Sequence, residues 1–186
     1  MYPYLRLAAG HLKARRQPPL PILGEHVSHH RCLPWDLDPW MELNNGRTLT
    51  LYDLGRIPLA VRTGLVTVLR AQGWGLTVAG SVVRYRRRIR LLDRFEARAR
   101  MLGWDRRFLY IDQSLWRPDG ECANHAIFRT AVTGPGGIVP PDRVLAAMGQ
   151  EGLDPPALPD WVTAWIAAED ARPWPPQRAT SPQAAE

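Results

Sequence analysis

At 186 residues, 45% hydrophobic and 23% charged, the chain amounts to about one domain and is large enough to bury a core. That balance excludes a disordered or fibrous chain, and no apolar run approaches the ~20 residues that cross a bilayer as a helix. The net charge of +6 suits an anionic partner, such as nucleic acid, a membrane surface or a phosphate-rich cofactor; arginine-biased composition gives the same charge, since only Lys13 among 24 basic residues is a lysine.

Met1 to Arg16 reads as a short basic helix. Tyr4, Leu5, Ala8 and Leu12 fall at helical spacing, while Arg6, Lys13, Arg15 and Arg16 supply charge. Such a helix suits either peripheral contact with a membrane surface or packing on its own domain or a neighbour. Pro18, Pro19 and Pro21 end it, so residues 1–21 are expected to form a helix and linker ahead of a main domain over 22–150. The first thirty residues carry no secretory pattern: the apolar run is short and flanked by basic residues. Cytoplasmic residence with Cys32 and Cys122 as free thiols is the matching expectation.

His26 to Leu33 fits a strand. From Gly46 the pattern turns helical, with Leu49, Tyr52, Asp53, Arg56, Ile57, Ala60 and Val61 recurring at three and four. Pro58 lies inside that run and should kink or break it. Gly64 ends it, and Leu65 to Ala71 adds a second short helix before Gly73. Strands follow over Leu76–Leu91, Phe95–Trp104, Phe108–Trp116 and Cys122–Val132, with turns at Asp105-Arg106 and Pro118-Asp119-Gly120. Connections this short suggest an antiparallel meander. Pro141–Met148 and Pro159–Glu169 fit short helices within a C-terminal segment over 151–186, whose Pro-rich tail from Arg172 is expected to lack order. A long helix that must bury its apolar face, beside one antiparallel sheet, makes the domain α+β.

The chemistry concentrates in Pro34-Trp35-Asp36-Leu37-Asp38-Pro39-Trp40-Met41-Glu42-Leu43-Asn44-Asn45-Gly46-Arg47. Asn44 or Asn45 is a good N-cap for the helix that follows. A helix start offers unpaired N–H groups and a partial positive charge, so a carboxylate beside it could attack a carbonyl whose oxygen those amides polarise. Asp38 sits before Pro39, a dipeptide that also favours a plain turn. Asp36 suits bonding to loop amides. Farther on, Arg84, Arg86, Arg88 and Arg90 would share one face if their segment is a strand, with Glu96 and Asp93 as neutralising partners. Guanidinium groups there suit phosphates. The interleaved aromatic content is only Tyr85, too thin for base stacking, so no nucleic acid is expected. His26, His30 and Cys32 share one strand face and His29 the other, which makes a poor metal site; none is expected.

The Asp36-x-Asp38, Asn44-Asn45-Gly46-Arg47 and Tyr52-Asp53-Leu54-Gly55-Arg56 pieces resemble the signature of the hotdog-fold acyl-CoA thioesterases, the 4-hydroxybenzoyl-CoA thioesterase group. Leu91-Leu92-Asp93-Arg94-Phe95-Glu96 and Leu102-Gly103-Trp104-Asp105 look most like thioesterase-superfamily proteins of the member-6 type. The resemblance covers roughly Val27 to Val132. It implies a long central helix wrapped by a curved antiparallel sheet. It also implies a homodimer or homotetramer with the active site between subunits, and hydrolysis of an acyl-CoA without a separate cofactor, coenzyme A being part of the substrate. By the matching position, Asp38 would be nucleophile or general base, with the amides near Asn45, Gly46 and Arg47 as oxyanion donors. Asp53 matches an acidic residue used on this helix in another lineage. Where the family has Gly-His this chain has Met41-Glu42, so Glu42 becomes a substitute base, and a non-catalytic acyl-CoA or lipid-binding protein becomes the alternative. Substrate contacts are expected from Asn44, Asn45, Gly46, Arg47, Tyr52 and Trp40. The CoA phosphates are assigned to Arg84, Arg86 and Arg88. The acyl chain is expected between helix and sheet near Leu49, Tyr52 and Trp74.

Overall fold

A computed structural model describes residues 2–176; residues 177–186, most of the expected tail, lie outside the described residues. The chain divides after Pro156. The first unit holds α1 (Tyr4–Arg16), β1 (Glu25–Arg31), a 3-10 turn (Pro34–Asp36), α2 (Asn45–Leu51), α3 (Asp53–Arg62) and α4 (Leu65–Gln72). Then come β2 (Gly75–Tyr85), β3 (Arg94–Trp104), β4 (Leu109–Trp116), β5 (Cys122–Gly134), β6 (Gly137–Val139) and α5 (Pro141–Ala147). The second unit holds one helix, α6 (Asp160–Ala171). Among the described residues no helix is long and apolar enough to cross a membrane.

The sheet is wholly antiparallel in the order β1-β3-β4-β5-β2, with β6 paired to β5. Its inner face follows from strict alternation. Phe95, Ala97, Ala99 and Met101 of β3 are buried, while Glu96, Arg98 and Arg100 between them face outward. The meander expected from short connections holds only for β3-β4-β5. The chain between Tyr85 and Arg94 instead carries the strand order across the sheet, placing β2 at one edge and β3 beside β1.

The helical run is three segments, not one rod. The break before α3 falls at Tyr52, and α3 then runs without interruption through Pro58. Of the expected kink or break at that proline, the break is absent. Gly10 of α1 faces the Pro58 ring, where a Cβ would lie 3.7 Å from its Cγ. Gly55, on the sheet side of α3, has space for little more than hydrogen. A Cβ there would meet the Gln113 amide at 3.2 Å and the Ala99 methyl at 3.3 Å, so α3 lies directly on β3 and β4. The basic N-terminal helix packs on α3: Ala14 is buried and Leu7 reaches the core, while Tyr4 and Leu5 stay exposed.

His26 is buried on β1, and its Nδ1 lies 3.2 Å from Arg62 Nη1. The ring must accept from that guanidinium, so it must be neutral. Burial first, then Arg62 and Lys13, lower its pKa from 6.5 to about 4. Among the described residues no cluster of His, Cys, Asp or Glu is arranged to hold a metal ion. Because the unfolded chain takes up this proton near pH 6.5 and the folded chain only near pH 4, the stability is intact above 6.5. It is lost as pH falls through that window, at up to about 1.4 kcal/mol per pH unit. Burial likewise lowers the His30 pKa to about 4, so urea denaturation across pH 4 to 7 should show an acid limb that becomes shallower, not flat, in His26→Gln.

Candidate active site at the start of α2

The loop from Cys32 to Asn44 is organised by one carboxylate. Asp36 is fully buried, and its Oδ2 accepts from the Leu33 N–H at 3.0 Å and from Arg6 Nη1 at 2.7 Å. Its Oδ1 accepts from Arg47 Nε at 2.6 Å. The expected amide bond is present, and two guanidiniums from α1 and α2 join it. The Asp36 carbonyl also accepts from the Asn44 N–H at 2.9 Å. Asn44 then caps α2, its Oδ1 accepting from the Arg47 N–H at 2.9 Å. That leaves the N–H groups of Asn45 and Gly46 without an acceptor among the described residues, whereas the Arg47 amide is occupied by the cap.

Asp38 to Met41 forms a tight turn, closed by Met41 N–H to the Asp38 carbonyl at 3.0 Å. The Asp38 Oδ1 folds over that turn and accepts from Trp40 N–H at 2.9 Å and Glu42 N–H at 3.3 Å. Met41 is held at φ 60, a left-handed conformation that costs a side-chain-bearing residue about 1 kcal/mol. The conformation explains why glycine suits that place in the motif. Trp40, at 78% exposed, stands away from this packing.

The segment after β2 supplies the opposite wall. Arg86 and Arg87 N–H both donate to the Ala123 carbonyl, which ends the ladder at Tyr85. The expectation of one arginine face through Arg90 therefore fails. Arg84 lies on β2, whereas Arg86 and Arg88 ride on a loop whose Ile89 turns into the core. Loop and crossing chain zip together: Leu43 N–H donates to the Ile89 carbonyl at 2.8 Å, Cys32 N–H to the Asp93 carbonyl at 2.9 Å, and Glu42 pairs with Arg90. The charge partners also differ from expectation. Arg88 lies 2.8 Å from Glu42, Arg87 pairs with Glu121, Glu96 serves Arg98, and Asp93 accepts from the Arg90 N–H.

Between these walls is a cavity of about 160 Å³, lined by Glu42, Leu43, Asn45, Thr48, Tyr85, Arg86, Arg87, Arg88, Ile89 and Asn124. Glu42 presents a carboxylate whose Oε2 is buried and makes no hydrogen bond among the described residues; Arg88 contributes charge from outside the hydrogen-bonding direction. The Tyr85 hydroxyl donates to the Asn45 carbonyl at 3.1 Å, bolting the end of β2 to the helix start, and burial raises its pKa.

Of the residues singled out in the sequence, Glu42, Asn45, Arg86 and Arg88 meet at this cavity, with Asn44 and Gly46 beside it. Asp38, Trp40, Arg47 and Arg84 do not line it. Tyr52 lies beneath it, completely buried, with its hydroxyl 2.6 Å from Asn124 Oδ1. Asp53 is bound elsewhere, by the Tyr2 hydroxyl at 2.7 Å and by Arg56. Leu49, Tyr52 and Trp74 line none of the cavities described here. The void under α3 is about 20 Å³ and is lined by other residues, including Leu59, Leu65, Met101 and Ile111. Thr48, Tyr85 and Asn124 were missed as site residues. Asn124 had a signal: it is the polar member of the inward-facing series Asn124, Ala126, Phe128.

A larger concavity, about 1250 Å³, lies on the outer face of the sheet. Part of its charge is matched, Arg98 binding Glu25 and Glu96 and Asp112 binding Arg100 and His125, while Arg31 and Arg94 add positive charge to the lining. Burial opposes ionisation of Asp112, but hydrogen bonds from His125 and Arg100 outweigh it and hold its pKa below the usual range. The lining of this concavity comes from strands and their turns and includes no helix start, unlike that of the smaller cavity.

The model of the thioesterase-like superfamily matches residues 32–166. The chain belongs to that superfamily. Protein THEM6 of Xenopus laevis is 33% identical over 170 residues, covering 90% of this chain and 80% of that protein. The Escherichia coli protein YbaW, named a probable thioesterase, superposes with a TM-score of 0.61 at 15% identity, over 67% of this chain and 96% of that one. A hypothetical thioesterase of Streptococcus pneumoniae, crystallised with coenzyme A, gives 0.51 at 17% identity, over 64% and 84%. At those identities the structural likeness is one of fold, and the fold is the hotdog: a curved antiparallel sheet around a segmented central helix. The family's Asp-x-Asp, Asn-Asn region is thus the loop that Asp36 organises.

Removing that carboxylate's charge takes the shared ion-pair partner from Arg6 and Arg47, both mostly buried. Asp36→Asn should lower the unfolding free energy by about 3 kcal/mol in urea titration, whereas Arg87→Gln, which removes an exposed pair, should leave it close to the wild type.

Proposed function

We propose that this chain hydrolyses an acyl-CoA thioester to the free acid and coenzyme A. Family membership supports the reaction class. The observation that carries the reading is the cavity itself. It joins a carboxylate, two unoccupied amides at a helix start and a run of guanidiniums in one small space.

In this reading Glu42, the carboxylate on the cavity wall, takes a proton from water as the water oxygen bonds to the acyl carbon. The carbonyl oxygen gains charge opposite the Asn45 and Gly46 amides. The carbon–sulfur bond then breaks, the sulfur leaves with the proton as coenzyme A, and the acid is released. Arg86 and Arg88 are exposed at the cavity's lining and suit the phosphates of the leaving group, Arg88 exchanging its contact with Glu42 for them. Asp38, the position the family motif marks, holds both the N–H and the carbonyl of Glu42. It is the nucleophile or base if a partner subunit rearranges the turn, and a positioning residue otherwise. Hydrolysis of an acyl-CoA panel separates these roles. Glu42→Gln should lower kcat at least 100-fold, and Asp38→Asn by less. The reverse order moves catalysis to Asp38. No turnover in the wild type, with acyl-CoA still bound, favours a binding protein, for which the Met41-Glu42 departure from the motif is the supporting observation.

A homodimer through β2 completes the proposal. β2 is an edge strand of 11 residues with Leu76 and Val78 exposed, a row of unpaired backbone groups suited to a second copy. Sedimentation should show a dimer for the wild type and monomer for Val78→Asp, which sets like charges together across a symmetric seam.

A further inference from the structure

The floor of the cavity is polar and closed, which bears on the acyl group it can accept. Asn124 is only 4% exposed, at the centre of the inner face of β5. Its Oδ1 accepts from the Tyr52 hydroxyl at 2.6 Å. Tyr52 is fixed in turn: its carbonyl accepts from Gln113 Nε2 at 2.8 Å, and its ring meets Phe128 edge-on at 5.4 Å. With its oxygen held downward, the Asn124 amide nitrogen has no acceptor among the described residues, and the residue lines the cavity. That amide is a donor turned toward the cavity, so a ligand oxygen placed there gains a hydrogen bond that an alkyl group cannot make.

Size sets the second limit. The cavity is about 160 Å³ and opens to solvent on one side, so it bounds only the part of the acyl group that sits beside Asn124. Behind it stand the buried side chains of Leu43, Leu51, Tyr52 and Ile89. The next void, under α3, is about 20 Å³, room for roughly one water.

We infer that Asn124, oriented by Tyr52, donates its amide N–H to an oxygen on the acyl group, and that the site selects short oxygenated acyl thioesters over long alkyl ones. The inference rests on reading this cavity as the acyl-CoA site. A hydroxyl or keto oxygen within about six non-hydrogen atoms reaches the amide. A saturated chain of equal length leaves the amide without a ligand partner, and a long alkyl chain, blocked inward by buried side chains, must run out into water.

The test compares butyryl-, 3-hydroxybutyryl- and palmitoyl-CoA as substrates of the wild type, Asn124→Leu and Asn124→Asp. The aspartate keeps an acceptor for Tyr52 while removing the amide donor, so it stands in if the leucine variant does not fold. The wild type should favour 3-hydroxybutyryl- over butyryl-CoA at least tenfold in kcat/KM and disfavour palmitoyl-CoA at least 100-fold. Either variant should bring the ratio of 3-hydroxybutyryl- to butyryl-CoA kcat/KM near one, chiefly through a raised KM for 3-hydroxybutyryl-CoA. A ratio that survives both substitutions, or palmitoyl-CoA used as readily as the short thioesters, overturns the inference. If the wild type hydrolyses none of the three, the hydrolase reading falls separately. Calorimetric binding of the same compounds to the wild type then decides: the same order of affinity upholds the recognition, and no preference refutes it.

Discussion

The region of interest depends on one buried carboxylate. Asp36 is inaccessible to water yet meets an arginine from α1, an arginine from α2 and a backbone amide of its own loop. An ion so placed is tolerable only when its oxygens are filled, and the three donors come from three different parts of the chain. Satisfying it therefore fixes where the loop turns, where α2 begins and how α1 lies across α3. The loop's remaining polar groups then run along the chain that crosses from β2 to β3, and the cavity is the gap between them.

Much of this was legible in residues. The alternation of Phe95, Ala97, Ala99 and Met101 with charged neighbours gave β3, its face and its partner layer. The Asn pair announced a capped helix start. What misled was periodicity without context. Arg84, Arg86, Arg88 and Arg90 alternate as well as any strand, but register belongs to hydrogen bonds with a neighbour, and two successive amides sharing the Ala123 carbonyl end it. Local pattern carries no information about a carbonyl nearly forty residues away. Pro58 misled in the other direction: α3 accommodates the ring, with Gly10 of α1 alongside it.

The site was half legible for a related reason. Its motif residues are consecutive, so the sequence displayed them. Its other half comes from β2 and β5, and is defined only by what folds over the motif. Tyr85 and Asn124 are direct cross-strand partners, an association that strand order creates and spacing does not reveal. Asp38, the most conspicuous acid in the motif, spends one oxygen holding its own turn, while the neighbouring Glu42 turns an oxygen inward.

Tyr85 deserves a last consequence. It is the terminal residue of the sheet's free margin, and its phenol grips the first carbonyl of α2. Whatever docks along that margin pulls on the same ring that frames the reactive space. Assembly and turnover would then share a mechanical link one hydrogen bond long, so the isolated subunit need not behave as half of a pair.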